Sequence, residues 1–466
     1  MTAAQVQDPD ALRAWELRAD PLADDTIERI LGPHDGAAGA AMWAAIGTVN
    51  RQLAQWQTNG QLAAWRPDAD VPEPIAAALR DYLRAGLALP DWADPEKILR
   101  AETLFFEMSM MSCTLLFCAS LPECYVLPDL SGVLHVAGQL EARTDYRIRA
   151  TAAMLFPVMM RNGLTGSDGG GVAQTLKVRL IHATIRHLIL RGSPASAVRQ
   201  AAAIAPLPPQ ADGAPTLHQS LYAHGWDIAA DGLPCNQQEL AYTLLTFHYI
   251  YLRGLRKLGL GLPAADEAAY LHAWNVMGHV LGIDKDLMVE SMADAEQLFA
   301  RMQARGRGQS WLPDPRPALG AALMHAMENE IPIRLLKPFP VLLTRYLCGS
   351  QTAADLGLTG RVSLLSRAVF VLGMGATRAF DWVVRRFVPG FSICRMLTRV
   401  VGYRFTVKVL MDQTRPLKLP TALLNDLHAT VGSWQHDPKA PQWVNKLEAR
   451  LSGRPADSQA QGRQPC

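Results

Sequence analysis

The stretch Gln174-Thr-Leu-Lys-Val-Arg-Leu-Ile-His-Ala-Thr-Ile-Arg-His-Leu-Ile189 sets the terms for the whole chain. Val178, His182, Ile185 and Ile189 recur at three- and four-residue spacing, so they form one stripe of a helix. The same period returns over 10–19, 26–31, 37–57, 74–88, 96–118, 143–161, 237–259, 264–281 and 284–304. It continues over 318–328, 334–348, 361–388 and 391–411. Alternating strand patterns are rare, and no Asn-Gly or Asp-Gly pair joins two of them. The reading is all-α: many helices in a single large domain.

The 466 residues carry 45 Lys+Arg against 43 Asp+Glu, with 49% apolar and 19% charged residues. That is a globular composition, and the near balance of charge argues against a dedicated nucleic-acid binder. Charge is nevertheless uneven. Residues 1–100 hold nine basic and fifteen acidic residues, whereas 361–418 hold eleven basic against Asp381 and Asp412. A basic, otherwise apolar segment either lies on an anionic membrane surface or packs on the core with its basic face in water. The seven cysteines form no CxxC pair and fit a reduced compartment. Residues 1–10 lack the basic and apolar regions of an export signal, so the expected location is cytoplasmic, with or without membrane association. The most apolar stretch, Thr103–Pro122, contains Glu107 and several hydroxyls and reads as a buried helix.

His182 sits in an apolar row, with Arg179 three residues before it and Arg186 four after. Two readings fit. A neutral imidazole on an apolar wall can ligate a haem iron while the arginines hold its propionates. Alternatively, His182 is a core histidine beside two solvated arginines. Other chemistries find less support. There is no HExxH and no Glu-x-x-His pair. His272 and His279 are two turns apart on one helix and read as packing groups. The glycine run 163–171 lacks a Gly-Lys-Ser/Thr ending and follows a helix, so neither a P-loop nor a dinucleotide fingerprint is present. No GxSxG elbow occurs.

The motifs in order resemble a known family. They are Ser120-Leu-Pro-Glu-Cys-Tyr125, Arg147-x-x-x-Thr151, Asn162-Gly-Leu, the His182 helix, Leu233-Pro-Cys-Asn-Gln-Gln-Glu239, Ala269-Tyr-Leu-His-Ala-Trp274 and Val276-Met-Gly-His-Val-Leu-Gly-Ile283. Together with Leu343-Thr-Arg-Tyr-Leu-Cys-Gly349 they resemble the catalytic domain shared by rubber oxygenases (latex clearing proteins) and the endoplasmic-reticulum-bound oxygenase of the mycophenolate pathway. The resemblance covers roughly residues 100–360. It implies a globin-like all-α core, a haem b cofactor, His182 as the proximal iron ligand and Arg147 with Thr151 on the distal side. Some rubber oxygenases carry a lysine just before that threonine, where this chain has Ala150. The family's distal glutamate has no clear counterpart, Glu141 being a candidate by sequence proximity alone.

The resulting expectation is a haem-dependent oxygenase that uses dioxygen on an apolar, isoprenoid-like molecule, by oxygen insertion or oxidative C=C cleavage. The competing classes are a haem-binding sensor or carrier without turnover, and a haem-free lipid-binding protein using 361–418. The expected organisation is an N-terminal helical part over 1–99 packed on the core, a catalytic part over 100–360, a basic helical part over 361–451 and a disordered tail over 452–466.

Overall fold

A computed structural model describes residues 9–32, 39–136, 151, 154–200, 203–208, 216–309, 313–329, 331–385, 442 and 446. Among these, helices form the architecture and no strand occurs; one isolated bridge joins Ile204 and Trp226. The helices that bear on the site and its supports are α1 (Pro9–Glu16), α2 (Pro21–Leu31), α3 (Ala40–Ala54), α4 (Glu73–Gly86), α5 (Pro95–Glu107) and α6 (Gly171–Leu190). They continue with α7 (Gln237–Lys257), α8 (Ala264–Leu281), α9 (Met292–Arg307), α10 (Phe339–Cys348) and α11 (Leu364–Arg385). The expected helix 391–411, the tail 452–466 and residues 143–150, 152 and 153 of the helix expected over 143–161 lie outside the described residues.

Helix α7 is the central element. It packs against α1, α8, α9 and the segment around residue 118, and most of its side chains are buried. Asn236 starts it by accepting a hydrogen bond from the Glu239 N–H at 2.9 Å. Helix α5 lies along α8, and α6 lies between α2 and α8. One core cluster draws on residues from Leu12 to Leu358. Its largest wholly buried side chains include Trp56, Trp274, Tyr82 and Tyr242. Burying aliphatic or aromatic groups of this size contributes on the order of 1.5–3 kcal/mol each before entropy is counted.

Two helical expectations are corrected. The continuous helix over 96–118 is interrupted: α5 ends at Glu107, a short helix covers Ser109–Leu115, and a π-helical turn covers Leu116–Ser120. At the π turn Pro122 has no N–H to donate, and the ladder widens so that the Leu121 N–H reaches the Leu116 carbonyl. The helix expected from 284 starts at Met292. Asp284 caps a separate 3-10 turn, and Ser291 caps α9 by accepting from the Asp294 N–H at 3.1 Å.

The segment after the π turn, Leu121–Cys124, is held by one carboxylate. Glu123 is buried and accepts hydrogen bonds from Arg253 (2.7 Å), Gln303 (2.8 Å) and Thr352 (3.1 Å). The Tyr242 hydroxyl donates to its backbone oxygen at 2.8 Å. The motif residues Ser120–Tyr125 thus tie the bundle's centre to its C-terminal helices.

Candidate functional site

His182 is positioned by a helix fixed along its length. At the N-terminal end of α6, the glycine loop folds back on itself so tightly that a Cβ on Gly163 would lie 2.2 Å from the Pro157 carbonyl oxygen. Asn59 fastens this loop. Its Nδ2 donates to the carbonyls of Gly163 and Gly166, both at 2.9 Å, while its Oδ1 accepts from the Ala173 N–H at 3.1 Å. The loop's glycines serve close backbone packing. Further along, the buried Tyr82 hydroxyl donates to the Leu176 carbonyl at 2.8 Å.

The two flanking arginines complete the fixation, and here the sequence expectation is corrected. Arg179 donates from Nε and Nη2 to Asp20 at 2.5 and 2.6 Å, and from Nη1 to the Val280 carbonyl at 3.1 Å. Gly282, at φ +92°, leaves the room this pair needs: a Cβ there would stand 2.5 Å from the Asp20 carboxylate. Arg186 is wholly buried; it pairs with Asp24 and donates from Nε to the Pro234 carbonyl at 2.9 Å. Both guanidinium groups are therefore directed to carboxylates of the N-terminal region, not to a free anion site. Burial works against the Arg179 charge, and the Asp20 hydrogen bonds and charge overcome it, so its pKa lies above the ordinary value.

His182 stands at the border between this ion-pair face and a half-buried apolar edge formed by Val178, Ile181 and Ile185. Ile181 is 40% exposed, unusual for an isoleucine in the middle of a packed helix. The His182 Nδ1 atom is shielded from water. Lys177, one turn before Ile181, is half-buried and pairs with no carboxylate among the described residues. Burial pushes its ammonium down to about 8.

Thr151 is helical and half-buried, four residues before Leu155. Leu155 lines a small apolar cavity whose other walls include Phe105, Leu116, Phe247, Tyr251 and Trp274. The π turn supplies Leu116 and Ser120 to that wall, and the interruption of the ladder thereby shapes the cavity. Arg147, Ala150 and Glu141 lie outside the described residues. No group of three or more His, Cys, Asp or Glu able to hold a metal ion occurs among the described residues. His272 and His279 do not converge on a ligand. Both rings pack edge-on against Trp92, at 5.7 and 5.9 Å, and the Asp94 N–H donates to the His272 Nε2 at 2.9 Å.

Sequence reasoning missed Glu102. This buried carboxylate of α5 accepts from the Asn162 N–H at 2.8 Å and so holds the glycine loop from the side opposite Asn59. Burial, only partly offset by backbone N–H groups of residues 162–164, pushes its pKa up to about 7. The folded state therefore retains a proton that the unfolded chain, at the ordinary glutamate value of 4.5, releases. Its contribution to stability is complete below that value and is lost as pH rises through about 7. Glu102→Gln is expected to flatten the urea-denaturation stability profile between these two values. An unchanged pH slope would show that Glu102 is already ionised in the fold.

Comparison with known proteins adds three findings. Residues 216–385 match the family model described as "ER-bound oxygenase mpaB/B'/Rubber oxygenase, catalytic domain". This matched stretch begins after His182. A rubber oxygenase from Streptomyces sp. (strain K30) is 22% identical over 361 residues, covering 74% of this chain and 70% of its own. Among solved structures, the latex clearing protein LCP in its closed state shares the fold with a TM-score of 0.56 at 18% identity, covering 89% of this chain and 90% of that one.

Proposed function

Because the chain belongs to the family of ER-bound oxygenases and rubber oxygenases, and is on that ground an oxidoreductase, we propose that it is a haem b-dependent oxygenase held together around His182. Its substrate in this reading is an apolar, alkene-bearing molecule of isoprenoid type, with dioxygen as co-substrate. The reaction is oxygen insertion or oxidative cleavage of the C=C bond. The observation that carries the reading is the position of His182, on a helix fixed by ion pairs and beside an apolar edge left half-exposed.

The residues present fit the cofactor in part. An imidazole nitrogen suits iron, and Val178, Ile181 and Ile185 suit an apolar macrocycle. The propionates find no free guanidinium on α6, since Arg179 and Arg186 are engaged with Asp20 and Asp24. Lys177 is the cation on this helix that suits a carboxylate. Arg179 and Arg186 act as positioning residues, which set the orientation of the imidazole.

When bound, haem supplies a redox-active iron able to activate dioxygen. The chain's own groups do the rest. His182 supplies the nitrogen donor. The resemblance puts Arg147 on the opposite side, where a guanidinium is a permanent positive charge that stabilises developing negative charge. Thr151 adds a hydroxyl donor near the apolar cavity. In this reading the apolar substrate site keeps water away from the alkene.

An absorption spectrum of the chain, expressed with haem precursor and taken before and after dithionite and carbon monoxide, tests this reading. A Soret band that shifts with carbon monoxide, followed by alkene-dependent oxygen uptake, is the expected result. No Soret band after reconstitution defeats it. A Soret band without uptake on any alkene favours a sensor or carrier.

A further inference from the structure

Helix α11 has two apolar faces, and among the described residues only one of them is packed. Ser366, Phe370 and Met374 turn inward: Ser366 is buried, Phe370 meets Phe339 edge-on at 5.4 Å, and Met374 packs on the core. Near the middle of the helix, the Arg378 Nη1 donates to the Tyr346 hydroxyl at 3.1 Å, which fixes the rotation of α11 on α10.

The opposite side is exposed and almost wholly apolar. Leu364, Leu365, Ala368, Val371, Leu372, Gly375, Ala376, Ala379 and Val383 follow one another at helical spacing, and every one is exposed. Leu364 is 82% exposed and Leu372 70%. Large apolar side chains lying in a contiguous row this open to water mark a contact surface. Arg367 and Arg378 lie eleven residues apart, three turns of helix, and so border the row on the same side. No acidic residue occurs from Arg361 to Phe380.

We propose that α11 docks the protein on an anionic lipid bilayer, lying in the plane of the interface with Leu364, Leu365, Val371 and Leu372 in the acyl boundary and Arg361 and Arg367 at the headgroups. The charge pattern selects this occupant. A second copy of the helix would oppose arginine to arginine across a low-dielectric contact, which repels. Anionic headgroups neutralise the same rim. No described helix is long and apolar enough to cross a membrane, which is consistent with a helix that lies on the surface. The inference goes beyond the oxygenase reading and does not depend on haem.

The test is co-sedimentation of the full chain with vesicles of phosphatidylcholine, with and without phosphatidylserine. Binding to the anionic vesicles is expected, with little to pure phosphatidylcholine, and it weakens as salt is raised. The double substitution Leu365→Glu/Leu372→Glu is expected to weaken binding on the order of tenfold or more. Arg367→Gln is expected to weaken it by about fivefold. All three side chains are exposed, so native helicity by circular dichroism should persist, and Arg367→Gln gives a reading even if the double variant aggregates. Failure of the wild-type chain to sediment with anionic vesicles overturns the proposal. So does binding that Leu365→Glu/Leu372→Glu leaves unchanged. A wild-type dimer that the double substitution dissociates, without vesicle binding, assigns the face to a second copy instead.

Discussion

His182→Ala, expressed with haem precursor and purified beside the wild-type chain, is expected to emerge without a Soret band. The apolar edge of Val178, Ile181 and Ile185 can attract a macrocycle, but it offers no donor to the iron. The neighbouring arginines cannot substitute, because a protonated guanidinium has no lone pair to offer the iron. The substitution removes a half-buried ring from a helix fixed at other points, so the fold should tolerate it, with a stability change of roughly 1 kcal/mol. Loss of haem with an intact thermal transition therefore separates ligation from unfolding. Added imidazole should restore part of the band, since it supplies the missing nitrogen. A variant that purifies with its full complement of haem would assign the iron to another residue and leave His182 a packing group.

The second large effect concerns stability. Asp24→Ala removes the carboxylate partner of Arg186 while leaving the guanidinium in place. The Arg186 side chain is 1% exposed, so its charge would remain in the interior with the Pro234 and Cys235 carbonyls as hydrogen-bond partners and only the charge of Asp20, already paired with Arg179, nearby. Breaking a buried pair from one side costs about 3–5 kcal/mol, mostly from the stranded charge. Urea denaturation should show that loss. Replacing both partners, as in Asp24→Leu/Arg186→Met, should cost less than Asp24→Ala alone, since no charge is stranded. A loss below about 1 kcal/mol for Asp24→Ala would mean that water reaches Arg186 and that the pair does not fix the helix. The same substitution should also loosen the orientation of His182. Weakened haem retention in folded Asp24→Ala protein would follow, with the wild-type ligand still present.

Much of the fold was legible because helices announce themselves through their period. The helix expected over 264–281 is Ala264–Leu281, and 237–259 became Gln237–Lys257. The errors arose where local hydrogen bonding outweighs the apolar pattern. Pro122 widens a ladder that still looks periodic, and Ser291 restarts a helix inside a stretch whose pattern runs through it. The candidate site was half legible. His182 stood out by its neighbours in sequence. Its real surroundings depend on Asp20 and Asp24, about 160 residues away, and spacing carries no trace of them. One signal did exist. The first hundred residues are acidic in excess, and Asp20, Asp24 and Glu16 meet Arg179, Arg186 and Arg305. That excess marks carboxylates in want of partners, but it does not say which arginines supply them. Glu102 gave no such sign, because a lone glutamate in an amphipathic helix looks like a solvated one.

Asn59, Tyr82, Asp20 and Asp24 all precede their partners in and beside α6 by more than ninety residues, and all of them hold it. During synthesis the N-terminal helices leave the ribosome first, with Asp20, Asp24 and Tyr82 lacking the α6 partners they meet in the fold. Their native burial must wait until residue 190 has been made and the glycine loop has closed over Asn59. The nascent chain thus passes through a long interval with apolar surface uncovered, when it most needs a chaperone's protection. A gene fragment starting near residue 100 would encode α6 with its two arginines and none of the carboxylates from α2, and its product should accumulate as aggregate.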